Sequence, residues 1–427
     1  MRKTCRTIGV RRAAVVCLAI LLAGCSTTVS GTEEKESGPA PTVVQPALLD
    51  HGNYPAKPRP PLGNVKTASD GRLLEGDRMA NNVVLPYEVD PSLIKSQQMA
   101  TRTMTDAPAL SSDLPDPVPA AADAHGFIVG FSTGRLSVGK PYKELINLVM
   151  EFPDAGAATA AAGEMAAKYA NPAPLDQQSG IPAWGGKPNQ PFGIPRHPEA
   201  LGSTSTNTLD PEYGSGAADV VSAFTAHGQY VLFQTASSAD NVGTSAELVA
   251  HTLDMQEALI DRFMPAAPAQ FAGLAADPTG LLAKTLPPPP DVTDVNQNAV
   301  YEPRAYLHLA DEPARLADAF KATGVQAVSI GMTTVYQAID AAAAQSLADT
   351  EVSITTNSQA AAQSFNKPIA GIDGYPAAKC FTTDNHYAMW KSYCVAPADR
   401  YLIEALGQQD QDTRQLVAAQ YLILTSH

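Results

Sequence analysis

The chain has 427 residues, 44% of them hydrophobic and 17% charged, with 29 cations against 43 carboxylates and a formal net charge of −14. That apolar share is enough for more than one packed core, and the length predicts two or three domains. The acidic balance excludes a nucleic-acid binder, which needs a cationic footprint for phosphate backbones, and gives an anionic membrane no electrostatic hold on the chain.

Residues 1–12 carry Arg2, Lys3, Arg6, Arg11 and Arg12 without a carboxylate, and the stretch from Ala13 to Ala23 is apolar. A membrane-spanning helix needs about 20 apolar residues, so this run reads as an export signal. It ends in Leu22-Ala23-Gly24-Cys25, which resembles a bacterial lipobox. Residues 1–24 are then a discarded signal and Cys25 the lipidated N-terminus, with Sec and twin-arginine export both open. Two acyl chains hold a protein on a membrane where one only hovers. Residues 25–50, rich in Ser, Thr, Glu and Pro, predict a flexible, disordered stalk.

The first domain is expected over residues 51–286. In it, "INLVMEFPDAGAATAAAGEMAAKYA" reads as a strand and an alanine-rich helix capped by Asp154, and "DVVSAFTAHGQYVLFQTASS" as a hairpin turning at His227-Gly228. A helix, "SAELVAHTLDMQEALIDRFM", follows. Between the alanine helix and the hairpin lies a Pro- and Gly-rich insertion, residues 171–211. Four prolines, Pro287 to Pro290, open a stiff linker over residues 287–298. The second domain, residues 299–427, repeats the order: strand and alanine helix at Asp340, hairpin, then a helix ending "AAQYLIL". The predicted fold is α+β, two related domains, each an antiparallel sheet with helices packed on one face.

Five cysteines are present. Cys5 and Cys17 leave with the signal and Cys25 takes lipid, so Cys380 and Cys394 remain. An even pair in an exported chain reads as a structural disulfide.

Few residues suggest chemistry. "GRLSVGKP", residues 134–141, has the glycine and lysine spacing of a phosphate loop, but Pro141 stands where a magnesium-binding Ser or Thr belongs. Ser215 lacks a nucleophile-elbow frame. The eight histidines include no H-x-x-x-H pair, so neither a metal site nor a cofactor is expected. No catalytic residue is assigned. The insertion is the one stretch with binding character: Trp184, Phe192, Arg196 and His197 combine aromatic and cationic groups that suit ligand or partner contact, the other reading being that Trp184 and Phe192 pin the long loop to the core.

Together "LAGC", "GNYPAKPRPP", "EGDRMANNVVLPYEVDP", "TTVYQAIDAAAAQSLAD" and "AAQYLIL" resemble, from signal to C-terminus, a family of uncharacterised cell-envelope lipoproteins of mycobacteria and related actinobacteria. The resemblance implies a lipid-anchored protein on the outer face of the cell membrane, and it transfers no active site. The expected function is a ligand- or partner-binding or scaffold module taking an envelope lipid, a wall fragment or a protein partner. The alternative is a hydrolase acting on envelope components.

Overall fold

Two antiparallel sheets organise the computed structural model, which describes residues 43–96, 101–171, 188–209, 216–289, 298–357, 364–386 and 388–426. Cys25, Trp184 and Ser215 lie outside the described residues. Among the described residues no helix is long and apolar enough to cross a membrane.

The first half begins with α1 (Ala68–Ala80) and a helical turn α2 (Pro86–Val89), followed by β1 (Leu93–Ser96), β2 (Arg102–Met104) and α3 (Val118–Ala124). Next come β3 (Val129–Ser137), β4 (Lys143–Glu151) and α4 (Ala155–Ala170). The half closes with β5 (Gln190–Pro191), β6 (Leu201–Thr208), β7 (Ala217–His227), β8 (Tyr230–Ser238) and α5 (Val242–Ile260). The strand order is β1-β3-β4-β8-β7-β6-β5, with β2 on β3. Asp154 caps α4 by accepting the Ala157 N–H at 2.8 Å, as a side-chain oxygen does at a helix start.

Alternation along β8 decides where the helices go. Val231 and Phe233 pack with Ala158, Ala161 and Met165 of α4, whereas Leu232 and Ala236 pack with Val249 and Leu253 of α5. Successive side chains of a strand point to opposite faces, so α4 and α5 cover opposite faces of one sheet. The α+β class with two sheet-and-helix domains stands. The expectation of helices on one face does not, because β8 is buried along its whole length and needs cover on both sides.

The second half carries β9 (Ala299–Tyr301), a turn α6 (Pro303–Tyr306), α7 (Pro313–Thr323), β10 (Ala327–Ile330), β11 (Thr333–Gln337) and α8 (Ala341–Asn357). It ends with β12 (Lys367–Ile369), β13 (Lys379–Thr382), β14 (Ser392–Ala398), β15 (Tyr401–Gly407) and α9 (Asp410–Thr425). Its sheet runs β12-β13-β14-β15-β11-β10-β9. Read from the other end, β10-β11-β15-β14-β13-β12 matches β3-β4-β8-β7-β6-β5 strand for strand. Asp340 accepts the Ala343 N–H at 2.8 Å, the counterpart of the Asp154 cap. Cys380 and Cys394 face each other in the β13–β14 register and are joined by a disulfide.

The halves share one core. Met79, Leu85 and Leu253 from the first and Tyr301, Leu316, Tyr336 and Leu347 from the second form a continuous cluster. Arg135 of β3, 1% exposed, fastens the seam by donating to the carbonyls of Leu307, His308 and Ala310. Residues 43–54, part of the expected stalk and the start of the expected first domain, instead pack on the second half: Leu49 is buried among Ile372, Tyr375 and Leu416. Thr285 and Leu286 also belong there, since the Leu286 N–H bonds Gln420 of α9.

Candidate functional site

Part of the expected insertion is sheet. β6 pairs with β7 over its full length, Leu201↔Phe224 to Thr208↔Ala217, so among the described residues of the segment the part left outside the main sheet ladder is the turn between β5 and β6. There Ile194 and His197 form an isolated bridge, and Arg196 takes the left-handed conformation at φ 66°, uncommon for a residue with a side chain. Gly202 permits the close return of the chain: a Cβ there would lie 2.3 Å from the Phe192 carbonyl oxygen.

The turn is fastened to α5 by charge. Arg196 reaches Glu247 and Asp254, each at 2.9 Å. His197, 7% exposed, bonds Asp254 through Nε2 and Glu199 through Nδ1, each at 2.9 Å. Burial disfavours the charged His197 ring, but these two carboxylate bonds outweigh it and hold its pKa above the ordinary value. Asp254 shows the converse balance: burial raises its pKa, and bonds from Arg196 and His197 bring it below normal.

Two cavities flank the turn. On the α4 side, about 460 Å³ is lined by Ala166, Ala170, Phe192, Leu201 and Phe224. On the α5 side, a groove of about 710 Å³ runs between Phe192, Pro195 and Arg196 on one wall and Thr244, Leu248 and His251 on the other, with Val89 of α2 and the following Asp90 at its end. Phe192 lines both. The groove is largely apolar with polar groups at its edges, the composition of a recognition surface.

Of the residues singled out from sequence, Phe192, Arg196 and His197 therefore lie at one place. Arg196 and Phe192 line the groove, while His197 sits behind the turn and holds it to α5. Asp254 and Glu247 were not foreseen as partners of the turn, because α5 reaches it only through the fold, whereas Glu199 is a sequence neighbour two residues past His197. The ligand-capable atoms of His197, Glu199 and Glu257 also lie within 4.8 Å of one another, a grouping that spacing along the chain does not suggest. Both ring nitrogens of His197 are already held by carboxylates, so a cation there would have to displace Asp254 or Glu199. The same two bonds leave His197 no free nitrogen to serve as a base toward a nucleophile.

A second cluster of ionisable groups lies in the second half. Tyr336 and Tyr393 each donate to Glu404 at 2.6 Å, and Tyr306 bonds Tyr336 at 2.7 Å. Glu351 lies beside Glu404 with its pKa driven well above normal by burial and by the Glu404 charge. The three tyrosines belong to the shared core, and Glu404 accepts two of their hydroxyls there. "GRLSVGKP" is the end of β3 and the turn into β4. His227 closes the β7–β8 hairpin and bonds Asp261 at 2.7 Å.

Family models for the N-terminal and C-terminal parts of a domain of unknown function, DUF7373, match residues 62–276 and 281–427. No curated protein matches the chain. Among solved structures it is similar to the extracellular domain of PknH from Mycobacterium tuberculosis, with 15% identity and a TM-score of 0.28 over 43% of this chain and 96% of that one. A likeness that distant carries no argument.

Proposed function

The chain belongs to the DUF7373 family, and from that premise we propose that it is an extracytoplasmic, lipid-anchored binding module of the actinobacterial cell envelope. The groove between the Phe192–Arg196 wall and α5 carries this reading. It is open, mostly apolar, and walled by a turn that ion pairs hold in place, so its shape is present before a ligand arrives. The Cys380–Cys394 disulfide supports an oxidising compartment. The basic, apolar, small-residue run ending at Cys25 supports export and lipidation. No specific observation favours the hydrolase reading.

Two experiments test the proposal. Cys25→Ala releases the protein from the membrane fraction of an actinobacterial host; retention there refutes the anchor. A photo-crosslinking residue placed at Thr244 in the groove captures a cell-envelope component, while one at the exposed Lys321 of α7 does not. Equal labelling at both positions, or none at Thr244, refutes the groove as the binding site.

A further inference from the structure

The groove beside Arg196 has a counterpart in the same chain, and the counterpart is filled. The turn Ile194–His197 recurs as Ile372–Tyr375. Each pair is an isolated bridge, each closes through an N–H to the first carbonyl, at 3.2 and 2.9 Å, and the residue before the end is left-handed in both, Arg196 at φ 66° and Gly374 at φ 76°.

The helices correspond through a buried glutamine. Gln256 of α5 accepts the Val84 N–H and an Asn147 N–H and donates to the Asn82 carbonyl. Gln420 of α9 accepts the Leu286 N–H and the Thr333 hydroxyl and donates to the Lys284 carbonyl. Asn147 and Thr333 themselves stand seven residues before the capping Asp154 and Asp340. Counting back equally along the two helices from these glutamines, His251 takes the place of Gln415 and Leu248 the place of Asp412.

In the second half, residues 43–54 lie across those positions. The Gln45 N–H donates to the Gly374 carbonyl at 2.7 Å. Gln415 Nε2 donates to Asp50 Oδ2 and the Tyr54 hydroxyl to Asp412 Oδ1, both at 2.7 Å, while Leu49 is buried beneath. In the first half the corresponding Arg196, Leu248 and His251 line the open groove.

We propose that this groove docks a peptide segment of a partner protein, as the second half docks residues 43–54. The inference rests on the binding-module reading and names the ligand class. The substitutions between the halves set its chemistry. An imidazole N–H of His251 replaces the Gln415 amide as a donor, so a carboxylate at the place of Asp50 still has a partner. Leu248 replaces the acceptor Asp412, so the residue four positions on, at the place of Tyr54, is apolar and lacks a hydroxyl that would be buried unpaired. The carboxylates in the wall do not oppose this: Asp90 is paired with Lys143 at 2.6 Å and Glu247 with Arg196 at 2.9 Å. A second copy's own segment carries Tyr54, the wrong side chain for Leu248, so the occupant is a different protein.

The probe is a synthetic peptide of residues 43–55 carrying Y54F, tested on the full mature chain by hydrogen exchange and fluorescence anisotropy. The expected result is slowed exchange at residues 192–197 and 244–251. Adding D50K to the peptide, or His251→Ala to the protein, weakens binding about tenfold, one hydrogen bond's worth; the exposed position of His251 leaves the melting temperature unchanged. No slowing at millimolar peptide overturns the proposal. So does slowing confined to residues 370–374 and 410–415, which reports exchange with the resident segment. Self-association that protects the same groove without peptide overturns it too. If the Thr244 crosslink captures a lipid or glycan, the binding-module reading stands and this inference falls.

Discussion

Arg135→Met is the sharpest test of how the halves are joined. The guanidinium is 1% exposed and donates to four carbonyls: Ile94 at 3.0 Å, Leu307 at 3.3 Å, His308 at 2.7 Å and Ala310 at 2.8 Å. Burial lowers its pKa to about 10, with Asp311 opposing the shift, so the group is a cation at neutral pH. Methionine fills a similar volume and donates nothing. Each stranded buried carbonyl costs about 1–3 kcal/mol, and removing the desolvated cation returns part of that sum. Breaking a buried charged network by deleting one member costs about 3–5 kcal/mol, the loss expected here. Guanidinium-chloride unfolding, followed by circular dichroism and by Trp390 fluorescence in a Trp184→Phe background, measures it. Because three of the four carbonyls belong to the second half, the two probes are expected to separate into distinct transitions. Arg135→Lys recovers less than half of the loss, since one ammonium cannot span four carbonyls. A loss below about 1 kcal/mol for Arg135→Met, with coincident probes, would falsify the view of this side chain as the fastener.

The remaining predictions concern the disulfide and pH. Denatured, unreduced mature protein has no titratable thiol, and Cys380→Ala with Cys394→Ala lowers stability by about 3 kcal/mol by freeing a loop with a sequence separation of 14; an unchanged denaturation midpoint refutes this. Burial raises Asp77 and Glu151 to about 7 and Asp113 and Asp311 to about 6. Below the ordinary carboxyl pKa both folded and unfolded states are protonated and no penalty exists. As pH climbs toward the folded value, the unfolded chain releases its proton first and stability falls. Asp77→Asn, which keeps an acceptor for the Thr103 hydroxyl, therefore reduces the stability lost between pH 5 and 8 by about 2–3 kcal/mol. Parallel pH profiles for the variant and the parent protein sink that account.

The helix starts, the β7–β8 hairpin and the Cys380–Cys394 pairing were legible because each is written locally: a capping Asp before an alanine run, alternating apolar residues around His227-Gly228, two cysteines left after Cys25. The repeated order of strand, helix, hairpin and helix was legible for the same reason, since a duplication keeps local patterns as sequence diverges. Sequence could not place helices on both faces of a sheet. A strand buried on both sides and a strand buried on one differ in what packs against them, and "YVLFQTASS" contains both faces at once. Nor could it show that residues 43–54 leave the expected stalk for the second half, because Leu49 and Tyr54 find Leu416 and Asp412 across more than 350 residues. Phe192, Arg196 and His197 were chosen for their residue types. Asp254, Leu248 and His251, which turn them into a groove, come from a helix that folding alone brings near. The sequence by itself determined the acidic balance, the repeated order of elements and the Cys380–Cys394 pair, all properties of neighbouring residues. Tertiary structure decided that one turn is clamped by charge beside an open groove while its twin is covered by the chain itself, since that depends on which distant side chains meet.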